Sequence, residues 1–116
     1  MSKTSIGQSA EAVAQSYLQG QGLRPVARNW RCRFGEIDLI MQDGETLVFV
    51  EVRLRNRSDF GGALASVTPA KQHRLLAAAR LYLGQMTTLP PCRFDVVAID
   101  ARQQPVWLRN AFDDMG

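Results

Sequence analysis

An α/β domain with the element order α-β-β-β-α-β-β is predicted by three observations: a helix-periodic opening segment, a strand-turn-strand unit over 36–53, and a second helical segment followed by two strand-like runs. The 116 residues suffice for one hydrophobic core and not for two, so residues 1–116 read as a single domain with its core over about 5–112.

Ser5-Ile6-Gly7-Gln8 fits the S-x-x-Q capping box, in which each polar side chain covers an orphan backbone N–H of the first turn. Ile6, Ala10, Val13, Ala14, Tyr17 and Leu18 follow at helical spacing, which predicts a helix over 5–19 stopped by Gly20 and Gly22. The segment 23–32 reads as a strand broken near Pro25, and a residue that cannot donate to a ladder belongs at a sheet edge.

Runs 36–42 and 45–53 carry the strongest strand signal, joined by Asp43-Gly44, a pair suited to the two positive φ angles of a type I′ turn. Residues 54–67, with RNRSDFGG at their centre, read as a surface loop. Thr68 then offers a hydroxyl cap and Pro69 a first helical residue, with Leu75, Leu76, Ala79, Tyr82 and Leu83 on one face and Gly84 as the stop. After Pro90-Pro91, RFDVVAID and PVWLRNAF read as two strands around a turn at 102–104.

Fourteen Lys and Arg against eleven Asp and Glu leave a net charge of +3, too mild to imply a nucleic-acid partner unless the charges are gathered on one surface. No secretory apolar region opens the chain and no run approaches the roughly 20 apolar residues of a membrane span, so a cytoplasmic protein without a membrane partner is expected. Cys32 and Cys92 are too few for a zinc site or a disulfide framework and are expected to be buried free thiols. His73 stands without an acid or cysteine at triad or zinc spacing, which places it on a helix surface.

The hairpin carries three acids inside its strands. Pairing outward from a two-residue Asp43-Gly44 loop sets Gln42 against Glu45, Ile40 against Leu47, Asp38 against Phe49 and Glu36 against Glu51. A side-chain period of two then puts Glu36, Asp38, Glu51 and Arg53 on one face with Ile40, Leu47 and Phe49, and Ile37, Leu39, Val48, Val50 and Val52 on the other. Two like charges about 5 Å apart repel by roughly 3 kcal/mol at an effective dielectric near 20. Either arginine partners or a divalent cation on oxygen ligands would offset that repulsion. Glu11, at the border of the first helix's apolar stripe, adds another acid in need of a partner.

A helix-borne Glu11, a strand-borne Asp38 and the E-x-[basic] run Glu51-Val52-Arg53 resemble the PD-(D/E)XK arrangement of restriction-endonuclease-like nucleases. More closely, Gly7 with Glu11, Tyr17-Leu18, Asn29-Trp30-Arg31, GEIDLI, FVEVRLR, Lys71-Gln72 and RFDVVAI resemble the YraN family of bacterial proteins, over about 7–110. The resemblance implies a restriction-endonuclease-like fold, a central mixed sheet flanked by helices similar to archaeal Holliday-junction resolvases, and a role on nucleic acid, DNA ahead of RNA.

It further implies Asp38 and Glu51 as ligands of Mg²⁺ or Mn²⁺, Glu11 as an accessory ligand, Gln72 as a polar group facing the site, and Arg53 in the position usually held by lysine. Arginine stays protonated and grips phosphate with two bonds, so Arg53 suits charge neutralisation better than water activation. Arg55 and Arg57 continue the parity of Arg53, and Lys71 and Arg74 follow on the second helix, as candidate backbone contacts to nucleic acid. Trp30 and Phe60 read as packing residues before base-stacking ones. Three functions stay open: a metal-dependent endonuclease hydrolysing phosphodiesters, a catalytically lapsed nucleic-acid-binding or scaffold protein, and an interaction module forming a homodimer through the Val106-Trp107-Leu108 edge.

Overall fold

The computed structural model describes residues 3–55, 62 and 65–112, the first seven of these by backbone alone. Arg57 and Phe60 lie outside the described residues. The order is α1 (Lys3–Gly20), β1 (Arg24–Cys32), β2 (Gly35–Asp43), β3 (Thr46–Leu54), α2 (Pro69–Leu83), β4 (Cys92–Ile99) and β5 (Pro105–Phe112), as the sequence predicts. The helix α1 already includes Lys3, so Ser5 sits inside it and is not its cap.

The five strands form one sheet in sequential order, antiparallel except for the parallel pair β3 and β4 that the α2 crossover requires. β1 and β5 are its edges, and Pro25 falls where a register shift interrupts the β1–β2 ladder. α1 covers one face: Ala10, Ala14 and Leu18 pack with Leu39, Met41, Val48, Val50, Val97 and Ile99. α2 covers the other, where Leu75, Ala78 and Ala79 meet Ile40, Leu47, Phe49, Phe94 and Val96. Burying a leucine such as Leu18, which is fully enclosed, contributes about 1.5–3 kcal/mol.

The hairpin register differs from the expected one by two residues. Asp43 pairs with Thr46, Ile40 with Phe49 and Leu39 with Val50, so the two central turn residues are Gly44 and Glu45. Gly44 has φ +58 and Glu45 is not in the left-handed region, which meets the demand of a II′ turn rather than the I′ turn expected for Asp43-Gly44. A shift of two preserves parity, so Leu47, Phe49 and Ile40 still share a face.

Alternation nevertheless fails between Ile37 and Ile40. Ile37 packs in the α2 cluster with Ile40 and Phe49, while Leu39 packs under α1, so Ile37 and Leu39 do not share a face. The break lies beside Asn29, which has φ +55 and sits between the pairs Arg28↔Leu39 and Trp30↔Ile37. A left-handed residue inside a strand rotates the side chains around it, and asparagine tolerates that conformation better than most.

Further corrections are local. Gly62 and Ala65 are helical and Ser66 N–H donates to the Gly62 carbonyl at 3.0 Å, so part of the expected loop over 54–67 turns. Thr68 caps α2 through Lys71 N–H at 3.3 Å, with Pro69 in the first turn, as expected. Neither thiol is fully buried: Cys32 is half-buried, and Cys92 is exposed at the start of β4, donating to the Pro90 carbonyl at 3.3 Å. Trp30 packs edge-on against Tyr82, 5.3 Å between ring centres. Asp95, unremarked in the sequence, is the buried acid of the sheet core and accepts from Arg93 Nε, Trp107 Nε1 and Asn110 N–H.

Candidate functional site

The sheet opens at one place. β2 and β3 pair only from Asp43↔Thr46 to Leu39↔Val50, after which β2 stays bonded to β1 as far as Gly35↔Cys32 and β3 stays bonded to β4 as far as Leu54↔Ile99. Beyond Leu39 the two strands therefore diverge, and the Val52 N–H donates to Asp38 Oδ2 at 2.9 Å instead of to a ladder carbonyl. Backbone donors left unpaired inside a protein are costly, so the Asp38 side chain stands in for the missing strand.

The acids gather in this opening. One carboxylate oxygen from each of Glu11, Glu36 and Asp38 lies within 4.8 Å of the others, a grouping of α1 with β2. Glu51 adjoins Asp38 from β3, near enough for its carboxyl to act on that of Asp38. Asn29 Nδ2 donates to Glu11 Oε1 at 2.6 Å and to Glu36 Oε1 at 2.5 Å, so one amide ties helix to strand. Arg31 Nε reaches Glu36 Oε2 at 3.1 Å from an exposed position.

Crowding changes the protonation of this cluster. Burial, then the hydrogen bond and negative charge of Glu51, push the Asp38 carboxyl up to about 8, against the opposing pull of the Val52 N–H. Burial also raises Glu11 to about 7; the Asn29 hydrogen bond opposes this, while the charges of Asp38 and Glu36 add to it. Two acids that are half or more protonated near neutrality, beside two more carboxyls, form a site that gains by exchanging protons for a cation.

The basic residues divide. Arg53 lies at the opening as the sequence expects, its Nε donating to Ser66 Oγ at 2.9 Å and its Nη1 standing 3.5 Å from Glu51 Oε2. Arg55 does not face solvent: its side chain is 7% exposed and pairs with Asp100 at 4.0 Å, so it supports the β4–β5 turn and is not available to a phosphate. Arg57 is outside the described residues. Lys71 and Arg74 line a hollow with Glu36, Glu51, Phe34, Gly35 and Leu75. Gln72 is half-buried and donates its amide to the Val67 carbonyl at 3.0 Å, within its own helix start.

Two participants have no role in the sequence reading. Asn29 and Ser66 are polar residues of common types whose roles depend on contacts across 18 and 13 residues. Glu36, which the sequence places on the acid face with Asp38 and Glu51 but not among the metal ligands, joins the cluster beside Asp38 and Glu11.

The family model described as "Uncharacterised protein family UPF0102" matches residues 10–99, which run from within α1 to the end of β4 and include all four clustered acids. The chain belongs to the UPF0102 family. A UPF0102 protein of Janthinobacterium sp. (strain Marseille) is 54% identical over 111 residues, covering 96% of this chain and 89% of that one. UPF0102 proteins of Herminiimonas arsenicoxydans (56% over 108 residues; 93% and 86% covered) and Cupriavidus necator (58% over 109 residues; 92% and 82% covered) are similarly related. UPF0102 is the YraN family met in the sequence motifs, and the mixed five-stranded sheet between two helices agrees with the fold that resemblance implies. Among the described residues of this UPF0102 chain, no helix is long and apolar enough to cross a membrane.

Proposed function

We propose that this UPF0102 protein is a metal-dependent nuclease that hydrolyses phosphodiester bonds of nucleic acid, DNA ahead of RNA, in the opening between β2 and β3. The observation that carries the reading is the convergence of Glu11, Glu36, Asp38 and Glu51, from three different elements, at the only point along the β2–β3 ladder where pairing is lost.

The donor set suits a hard divalent cation: it is all carboxylate oxygen, three of the oxygens lie within 4.8 Å of one another, and burial makes the unliganded acids retain protons. Asp38 with Glu51, and Glu11 and Glu36 beside them, would hold Mg²⁺ or Mn²⁺. Such an ion, when bound, supplies an acidified water and a polarised phosphoryl oxygen. Arg53, kept in place by Ser66, presents positive charge where the phosphorus becomes pentavalent, and being permanently protonated it takes no proton from the attacking water. Asn29 sets the spacing of Glu11 and Glu36.

One observation favours a second reading, a nuclease fold that binds nucleic acid without cutting it. The motif position usually held by lysine is Arg53, and that arginine is already engaged by Ser66 and Glu51.

Incubation with single-stranded, duplex and branched DNA and RNA in Mg²⁺ or Mn²⁺ separates the two. Cleavage that disappears in Asp38→Ala supports the nuclease, and cleavage that survives in that variant overturns it. Salt-sensitive binding without cleavage, together with cutting restored by Arg53→Lys, identifies the lapsed form.

A further inference from the structure

Two hollows meet at the acids. The larger, about 480 Å³, lies on the α1 side and is lined by Glu11, Asp38, Val52 and Arg53 among others; the smaller, about 160 Å³, lies at the start of α2. Glu36 and Glu51 line both, so the two hollows adjoin at these carboxylates.

The smaller hollow differs from the larger in charge. One bank is the turn between β1 and β2, represented by Phe34 and Gly35; the other is the first turn and a half of α2, with Lys71 and Arg74. Lys71 is half-buried and Arg74 exposed, and among the described residues neither ammonium nor guanidinium has an acidic partner. The two acids they face are otherwise engaged: Glu36 by Arg31 and Asn29, Glu51 by Arg53. On the opposite bank Arg33 lies over the Phe34 ring at 4.9 Å, and Arg31 is 77% exposed on its outer side. Lys71 and Arg74 thus line a hollow large enough for a phosphate and adjacent to the carboxylate cluster, with Arg31 and Arg33 nearby at the β1–β2 turn, and of these four only Arg31 is paired with an acid among the described residues.

We infer that the hollow between the Phe34-Gly35 turn and the Lys71-Arg74 start of α2 is a second phosphate subsite, one that holds the phosphodiester neighbouring the one placed at the carboxylates. The inference rests on the phosphodiester reading above and narrows it: the substrate is a chain with consecutive phosphates, and a mononucleotide fills only half of the opening. The chain's two phosphates sit on either side of Glu36 and Glu51, the residues that the two hollows share. Arg31 and Arg33 carry the chain onward along the β1 edge.

Fluorescence anisotropy with labelled 5′-phosphorylated mono-, di- and hexanucleotides, in Ca²⁺ and in EDTA, tests this. Wild type is expected to gain about tenfold in affinity from mono- to dinucleotide, and the Lys71→Ala/Arg74→Ala double variant to lose that step while binding the mononucleotide as before. For the hexanucleotide the slope of log affinity against log salt should fall in the double variant by about 0.7, the share of one single-strand phosphate contact. Lys71→Arg/Arg74→Lys should restore both, and circular dichroism checks that each variant is folded. A double variant with wild-type affinity and slope overturns the subsite while leaving the nuclease reading intact. Wild type that neither binds nor cuts any polynucleotide overturns both.

Discussion

Arg53 and Ser66 are joined by a hydrogen bond of 2.9 Å between Nε and Oγ, across the stretch of chain that leads from β3 to α2. The bond turns the guanidinium so that Nη1, not Nε, faces Glu51 at 3.5 Å. Removing the charge and removing its support should therefore differ. Arg53→Ala is expected to lower the cleavage rate by about 10²–10³, the range for deleting one donor to a developing oxyanion. Ser66→Ala should lower it less, because the charge remains and only its aim is lost. Single-turnover kinetics on both variants measures the difference, and a wild-type rate in Ser66→Ala would show that Arg53 holds its aim without Ser66.

Asp38 has two duties, and substitutions can separate them. Asp38→Asn keeps an oxygen for the Val52 N–H and removes a source of repulsion with Glu51, so stability in urea should stay near wild type or rise. Asp38→Ala leaves that N–H without its partner and should cost about 1–3 kcal/mol. Both should abolish Mn²⁺ binding in calorimetry. A stable Asp38→Ala would mean that the Val52 N–H finds another acceptor.

The cluster also predicts how stability varies with pH. Asp38 and Glu11 have folded-state values of about 8 and about 7, above their ordinary 3.8 and 4.5, so between pH 4 and 8 the folded chain holds more protons than the unfolded one. The slope of unfolding free energy follows protons bound in the unfolded minus the folded state, which is negative there, so metal-free stability falls as pH rises through that window. Mn²⁺ should reverse the trend, because its affinity grows as the carboxyls ionise. Urea midpoints at acid and alkaline pH, with and without Mn²⁺, check both signs; a metal-free midpoint that rises with pH contradicts the first.

Asn29 combines a backbone requirement with a side-chain one. Asn29→Gly keeps the left-handed geometry and loses the bonds to Glu11 and Glu36; Asn29→Ala loses both and should be less stable than the glycine variant by about 1 kcal/mol. Denaturant titration of the pair isolates the backbone contribution, and equal midpoints would remove it.

Arg55 and Arg74 offer a contrast between two arginines that the sequence placed in one role. Arg55→Ala should lower the urea midpoint, since its side chain is enclosed against the Asp100 turn, and leave the salt slope of nucleic-acid binding unchanged. Arg74→Ala, at an exposed site, should do the reverse. Exchanged behaviour would show that the 54–67 segment presents Arg55 outward when nucleic acid is bound.

The elements were legible because their signals are local: Thr68-Pro69 before an apolar helical face, Pro90-Pro91 before RFDVVAI, and a turn-forming glycine between two β-rich runs. Glu51 keeps its expected face because strand parity survives a register error of two, whereas Asp38 lies inside the break in alternation and its place beside Glu11 and Glu51 was legible through the PD-(D/E)XK resemblance. What was hidden depends on conformations and partners that periodicity does not encode. The left-handed Asn29 disturbs the alternation at Ile37, the II′ turn at Gly44 moves the pairing, and Arg55 turns inward where strict alternation and a polar neighbourhood suggested solvent. Ser66 could be reached only through the three-dimensional path of the chain.

The bond from Val52 to Asp38 makes one backbone amide a gauge of the site. Most amides of β3 are protected by neighbouring strands and exchange with solvent only when the sheet frays, but this one is protected by a carboxylate. Whatever draws that oxygen away, a proton, a cation or a phosphate-bound water, is written into the deuterium uptake at a single position in the middle of the molecule. The gap in the sheet is thus a place where occupancy can be read without a label, a substrate or a turnover.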